Sequence, residues 1–238
     1  MGDLCSKLRK KSVGPLTHSG SKKKDSIGPE TVLKENHSGT KVNLVLLGMS
    51  GTGKSATGNT ILGKRQFVSK ASSMPITTKC QAAETEINGT CVRVIDTPDM
   101  FDDDIKSSDK NRHVTQCRWL CQSDPCVYLL VIQVGRFTDG ERDILRKFEK
   151  AFGRRAKKQT IILFTRGEEL QHADMSLEDF LQHCRPELKN IVKQCDRRCV
   201  VFENKTSLQP QVTKLMQTVN RMLNKQQKQY CSCIRPDQ

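Results

Sequence analysis

Aromatic residues are scarce, at 5% of the 238-residue chain, with a single tryptophan. Nowhere do arginines interleave with aromatic side chains. Such interleaving would build a stacking platform for single strands, so no nucleic-acid partner is expected. No apolar run approaches the roughly 20 residues needed to cross a bilayer. No basic stretch followed by an apolar one opens the chain, so no secretory signal is read. The 11 cysteines are odd in number and include no C-x-x-C pair. A reduced, cytoplasmic chain is the simplest expectation. His113, Cys117 and Cys121 recur at a helical spacing. That spacing fits no common zinc pattern, and small buried thiols account for it better. Internal repeats are absent. Acidic residues are also in deficit, 26 against 40 Lys and Arg, for a net charge of +14. The excess attracts polyanions such as anionic lipid or nucleotide, and carries no information about fold.

Residues 1–40 hold Ser, Gly, Pro and basic runs (Arg9-Lys10-Lys11, Lys22-Lys23-Lys24) without a sustained apolar period. They read as a basic, disordered segment. Met1-Gly2-Asp3-Leu4-Cys5-Ser6 matches the loose pattern for N-myristoylation, and Cys5 with the basic run would supply a second anchoring signal. Asp3, beside the acceptor glycine, opposes modification. An unmodified tail is the simpler reading, and peripheral membrane contact through the N-terminus is the other. One domain is expected over 41–226, with a short tail at 227–238.

Within the domain, Val42 to Leu47 reads as a buried strand and Lys54 to Leu62 as a helix closed by Gly63. Residues 66–80 read as a polar loop. Residues 81–87 and 91–95 flank Asn88-Gly89, the strongest short hairpin signal. Val127 to Ile132 is a continuous apolar run, as a strand covered on both faces should be. Thr138-Asp139-Gly140-Glu141 is a capping box before a helix striped by Ile144, Leu145, Phe148 and Phe152. Gln159 to Phe164 and Cys199 to Phe202 read as strands, and Ser176 to Asp179 caps a further helix. Val212, Leu215, Met216, Val219, Met222 and Leu223 form a last helical stripe, read as core packing. Strands alternating with helices predict a three-layer α/β fold. Its central sheet should be mostly parallel with one antiparallel strand, and helices should cover both faces.

Directly after the first strand, Gly48-Met49-Ser50-Gly51-Thr52-Gly53-Lys54-Ser55 spell G-x-x-x-x-G-K-S. Glycines 48, 51 and 53 let the backbone curl so that successive N–H groups point inward. The helix beginning near Lys54, with Ala56 in its first turn, adds its positive dipole end. Lys54 would reach the β- and γ-phosphates, and the Ser55 hydroxyl would coordinate Mg²⁺. Asp96 closes the apolar strand Val92 to Ile95 and would hold a Mg²⁺-bound water. A loop threonine should complete the metal shell, with Thr77 and Thr78 both available.

The run Gly48 to Gly63 resembles the first motif of the GIMAP family, the immunity-associated GTPases. Pro75 to Gln81 is similar to that family's S-V-T-x-x-C-Q loop, which favours Thr77 for the metal. Asp96 to Asp102 resembles D-T-P-G-L-F-D, and Leu129 to Thr138 resembles the family's distinguishing box. Leu163 to Arg166 and Phe202 to Lys205 sit where its base-reading motifs belong. The match covers about 41–225, and the chain reads as a short member ending after the domain.

The resemblance implies a P-loop GTPase fold, GTP and GDP as ligands, Mg²⁺, and nucleotide-dependent homodimers or heterodimers within the family. It places Arg166, Gly167, Glu168, Glu169 and Asn204 around the base, and Ser69, in an F-x-S run, near the nucleotide. Four departures stand out. Asp99 replaces the glycine after D-T-P, bringing a charge near phosphate. Gly167 replaces a lysine, Glu169 the base-reading aspartate, and Glu203 an asparagine. Met100 follows where a glutamine would orient water, so hydrolysis should be slow or partner-dependent. Arg112 and Arg118 are the nearest candidate compensating cations, although either reads more simply as a solvated helix charge. Two functions follow: a guanine-nucleotide switch, or a pseudo-GTPase scaffold with weakened nucleotide binding. An adenine-nucleotide enzyme is permitted by the loop and supported by nothing else.

Overall fold

The computed structural model describes residues 41–233 apart from 71, 73, 122, 123 and 205–208; the side chains of 209 and 228–233 also lie outside the description. The chain divides into two units, Met1–His37 and Ser38–Gln238. The basic segment and its acylation pattern lie outside the described residues.

The second unit alternates strands and helices. Its order is β1 (Lys41–Leu47), α1 (Lys54–Leu62), β2 (Gln81–Ile87), β3 (Thr90–Asp96), α2 (Ser107–Cys121), β4 (Cys126–Gln133), α3 (Asp139–Arg142) and α4 (Ile144–Phe152). Then come β5 (Thr160–Thr165), α5 (Glu168–His172), α6 (Leu177–His183), α7 (Pro186–Gln194), β6 (Cys199–Phe202) and α8 (Gln209–Cys233). The strands form one sheet in the order β2-β3-β1-β4-β5-β6. Only β2–β3 is antiparallel. Asn88 and Gly89 turn that hairpin, both at positive φ, as a two-residue loop requires.

Alternation along the strands divides the core between two faces. Leu44, Leu46, Leu129 and Leu163 pack with Ile61 of α1 and with Leu215 and Val219 of α8. Val45, Leu47, Leu130 and Phe164 pack with Cys117 of α2, Phe148 of α4 and Ile191 of α7. Helices therefore cover both faces, and the fold is the three-layer α/β arrangement that the alternation predicts.

The structure departs from the sequence reading in detail. The helix after Thr138 is broken at Asp143, although its capping box forms and the Thr138 N–H donates to Glu141 at 2.7 Å. Helix α8 runs from Gln209 to Cys233, across residue 227. Helices α5 and α7 were not read from the sequence, and α2 only through a helical spacing of three residues. His113, Cys117 and Cys121 are the buried residues of α2, so their spacing marks a packed face.

One end of this sheet is suited to ligands. β1 lies between β3 and β4, and the helices that follow β1 and β3, α1 and α2, pack on opposite faces, which opens a crevice at the strands' carboxyl ends.

Candidate functional site

β1 ends at Leu47, and the chain turns at Gly48 with φ 148°. A Cβ there would lie 2.5 Å from the Val131 carbonyl oxygen on β4, so close strand approach demands glycine. Gly51 and Gly53 follow at φ 78° and 95°. Gly53 caps α1 without a side-chain hydrogen bond, and no acidic residue occupies the first turn. The N–H donors of a helix start thus remain without side-chain acceptors where Lys54, Ser55 and Ala56 line a cavity of about 840 Å³. Ser50, Gly51, Thr52 and Gly53 continue its wall. Gly48 and Met49 shape the loop from behind it. Their carbonyls accept from the Lys54 ammonium, each at 2.8 Å. Burial pulls the Lys54 pKa down, while the charges of Asp99 and Asp96 oppose that shift. An anionic phosphate oxygen is a stronger acceptor for this desolvated ammonium than a carbonyl is. The loop is tied to β5 by the Thr165 hydroxyl, which donates to the Thr52 carbonyl at 2.7 Å.

Three side-chain oxygens converge beside the loop. The Ser55 hydroxyl donates to Asp96 Oδ2 at 2.7 Å, and Thr77 Oγ1 lies 3.1 Å from Ser55 Oγ and 3.3 Å from Asp96 Oδ2. The other oxygen, Asp96 Oδ1, is buried without a hydrogen-bond partner. Burial raises the Asp96 pKa, opposed chiefly by the Ser55 hydrogen bond and then by the Lys54 charge. A small hard cation suits such a set: oxygen donors, a carboxylate with a spare buried oxygen, and room for water. Ser55, Thr77 and Asp96 therefore fit Mg²⁺, directly or through water. Thr78 lines a separate hollow with Lys79 and Arg112.

At the opposite wall, Arg166, Glu168 and Asn204 line the cavity, whereas Gly167 and Glu169 do not. The Gly167 N–H donates to the Phe202 carbonyl at 3.1 Å, and a Cβ on Gly167 would meet Val201 Cγ1 at 2.5 Å. Glu169 is exposed on α5. Both ends of the Asn204 amide are engaged by α1: Nδ2 donates to Thr57 at 3.0 Å and Oδ1 accepts from Thr60 at 2.9 Å. Glu203 accepts from the Gln171 amide. Ser69 lines the open side.

Met100 is buried in the core, away from the cavity wall. Arg112 pairs with Asp109 at 3.0 Å, and Arg118 donates to the Ala151 carbonyl at 2.7 Å; neither lines the cavity. Asp99, read from the sequence as a charge near phosphate, does line it, and so does Arg136, which was not assigned to the site. Arg136 carried only the signal of its place in the Leu129 to Thr138 box.

Residues 42–233 match the model of the AIG1 family. The chain is 36% identical over 208 residues to GTPase IMAP family member 8 of Mus musculus, covering 86% of this chain and 30% of that protein. It is 36% identical over 172 residues to Immune-associated nucleotide-binding protein 9 of Arabidopsis thaliana, covering 71% of this chain and 50% of that one. It thus spans half or less of the length of these relatives. Its fold is shared with Toc33 from Arabidopsis thaliana in complex with GDP and Mg²⁺, at TM-score 0.56 and 16% identity over 77% of this chain and 84% of that one. The G domain of the T. maritima FeoB iron transporter aligns at TM-score 0.51 and 16% identity, over 77% and 99% of the two chains. The sheet order, the glycine-shaped loop and the match over nearly all the described residues have one source: the chain is a member of the AIG1 family and has a P-loop GTPase fold.

Proposed function

We propose that this chain is a Mg²⁺-dependent guanine-nucleotide switch that binds GTP and GDP and hydrolyses GTP slowly or only with a partner. The observation that carries the reading is the junction of two features on one cavity. A helix start with no side-chain cap offers N–H donors and the Lys54 ammonium to phosphates. Beside it, Ser55, Thr77 and Asp96 cluster as hard oxygen ligands. Phosphate binding then falls to residues 48–56, and the base to the wall of Arg166, Glu168 and Asn204. Ser69 borders the entrance. Membership of a family whose relatives are named as GTPases supports guanine as the base. The burial of Met100 supports slow turnover, since the side chain directly after Asp99 does not reach the cavity to orient water. Arg136 puts one cation at the cavity mouth. Self-association through the nucleotide face, as a homodimer or with another family member, belongs to the same reading, as does a cytoplasmic location. Membrane contact through the N-terminus would be an addition to it.

A pseudo-GTPase scaffold is the second reading. It is favoured by the exposure of Glu169 and by the engagement of the Asn204 amide with α1, which together leave few free groups to read a guanine edge.

Equilibrium binding of fluorescent GDP, GTP and ATP, with and without Mg²⁺, separates the two. The switch reading expects guanine nucleotides to win over ATP. It also expects Thr77→Ala to weaken Mg²⁺-dependent binding by about tenfold, within the range for a lost metal-site contact, while Thr78→Ala leaves it unchanged. Absence of nucleotide binding would support the scaffold instead.

A further inference from the structure

The rim of the phosphate loop is already occupied by an anion that belongs to the protein. The Ser50 N–H donates to Asp99 Oδ2 at 2.6 Å, across 49 residues of chain. The second oxygen, Oδ1, accepts from the N–H groups of Phe101 at 2.9 Å and Asp102 at 3.1 Å. One carboxylate is thus held by three backbone donors on two separate loops. It is 8% exposed and lines the same cavity as Lys54 and Ser55. Hiding a carboxylate is unfavourable unless N–H donors and a counter-charge take the place of water. Here the donors are backbone amides, and the buried Lys54 ammonium on the same cavity supplies the counter-charge, its burial-driven fall in pKa opposed by the Asp99 charge.

These contacts are those that a terminal phosphate would make in the same place. An anionic oxygen accepts from a phosphate-loop N–H, sits near the loop lysine, and pins the segment after Asp96 against the loop. We propose that Asp99 is a built-in stand-in for the terminal phosphate, so that the site takes a nucleoside diphosphate in preference to a triphosphate. This rests on the nucleotide-binding reading above and sharpens it.

The physical argument has two parts. A single N–H cannot serve two anions well, and two anions at contact distance in a partly dry site repel strongly. A triphosphate must therefore either displace the Asp99 carboxylate from the Ser50 N–H, undocking its loop, or forgo that donor. A diphosphate is spared that conflict. Its donors lie deeper, at the start of α1, where neither a side-chain cap nor an acidic residue competes. The inner half of the cradle is open and the outer rim is closed. The same contact docks residues 99–102 onto the loop, with Met100 and Phe101 buried in the core. That docking would otherwise be the task of a bound triphosphate.

The test uses the full chain with Mg²⁺, fluorescent GDP and a non-hydrolysable GTP analogue, against Asp99→Gly and Asp99→Asn. The asparagine variant keeps an acceptor for the turn and removes the charge, so it reports on the site even if the glycine variant folds poorly. Wild type should prefer GDP by about tenfold or more. Both variants should bring the two affinities within about threefold, through a gain for the triphosphate and little change for GDP, as loss of one nearby like charge requires. Independently of any ligand, the Ser50 amide proton should lose the strongly deshielded NMR position of a donor to carboxylate when Asp99 is replaced. A wild type that takes both nucleotides equally, or variants that leave the ratio unchanged, would overturn the inference. If GDP binding is still lost in Lys54→Ala, the nucleotide-binding reading survives that failure. If neither wild type nor either variant binds any guanine nucleotide, both fall together.

Discussion

At the scale of single residues, the site divides into positions whose role is local and positions whose role depends on distant chain. Gly53, Lys54 and Ser55 act within a few residues of one another, so their chemistry can be read from spacing. Asp99 cannot be read that way. Its charge suggests trouble for a phosphate, but its acceptance of the Ser50 N–H requires the β1 and β3 ends to be side by side. Gly167 is a second case. In the sequence it looks like the loss of a lysine. In the fold, β6 leaves no room for a Cβ, since Val201 Cγ1 would stand 2.5 Å away. Val201 is β-branched and sits in a strand, so it has little freedom to move aside. Gly167→Ala should therefore destabilise the protein by about 1–3 kcal/mol, the range for overpacking. In a background of Val201→Ala the same substitution should cost far less. Urea unfolding of the four proteins measures the coupling, and additive effects would remove this explanation of the glycine.

At the scale of elements, legibility followed periodicity. The hairpin was visible because Asn-Gly has few alternatives to a two-residue turn. β4 and β5 were visible as apolar runs, and α8 as a clean stripe. α2 showed only the spacing of its three buried residues, His113, Cys117 and Cys121, because most of its other residues are charged or polar and Trp119 is exposed. The helix before it in the chain, α1, shows the opposite case: Lys54 at its start is explained by the loop it serves. The hairpin also carries a pH dependence. Glu84 stands opposite Arg93 in the β2–β3 register and pairs with it at 2.6 Å, with Lys41 at 3.2 Å. The Arg93 hydrogen bond, followed by that of Lys41, holds the Glu84 pKa below its ordinary 4.5. A depressed carboxylate pKa means stability that is fully present above pH 4.5 and lost as pH falls through the folded-state value. Because the Glu84 side chain is 44% exposed, solvent screening limits the effect to under about 1 kcal/mol. Glu84→Gln should lower stability by that small amount at neutral pH, and the difference should vanish in acid. A loss that persists unchanged in acid would assign the effect to packing.

At the scale of the molecule, the fold places the carboxyl ends of β1, β3 and β5 around one cavity, and the sequence contained enough to anticipate that arrangement. The base wall was less legible. Which of Glu168 and Glu169 faces inward depends on how α5 starts after Arg166, a residue at φ 59°, and on the packing of Gly167 under β6. Neither is encoded in local pattern. The net charge of +14 adds a long-range attraction for any polyphosphate, which weakens with salt and is shared by the whole surface. The specific claim is narrower: phosphate recognition by the loop of Gly48 to Ser55, with Lys54 at its centre. The most direct measurement is a calorimetric titration of GDP with Mg²⁺ into wild type and Lys54→Ala at two salt concentrations. The account predicts a wild-type affinity that falls by about 100-fold or more in the mutant, the scale of a lost charge-assisted contact in a desolvated site, with both proteins equally folded. Equal affinity in the two proteins would contradict it, since binding would then come from the general surface charge and not from the loop.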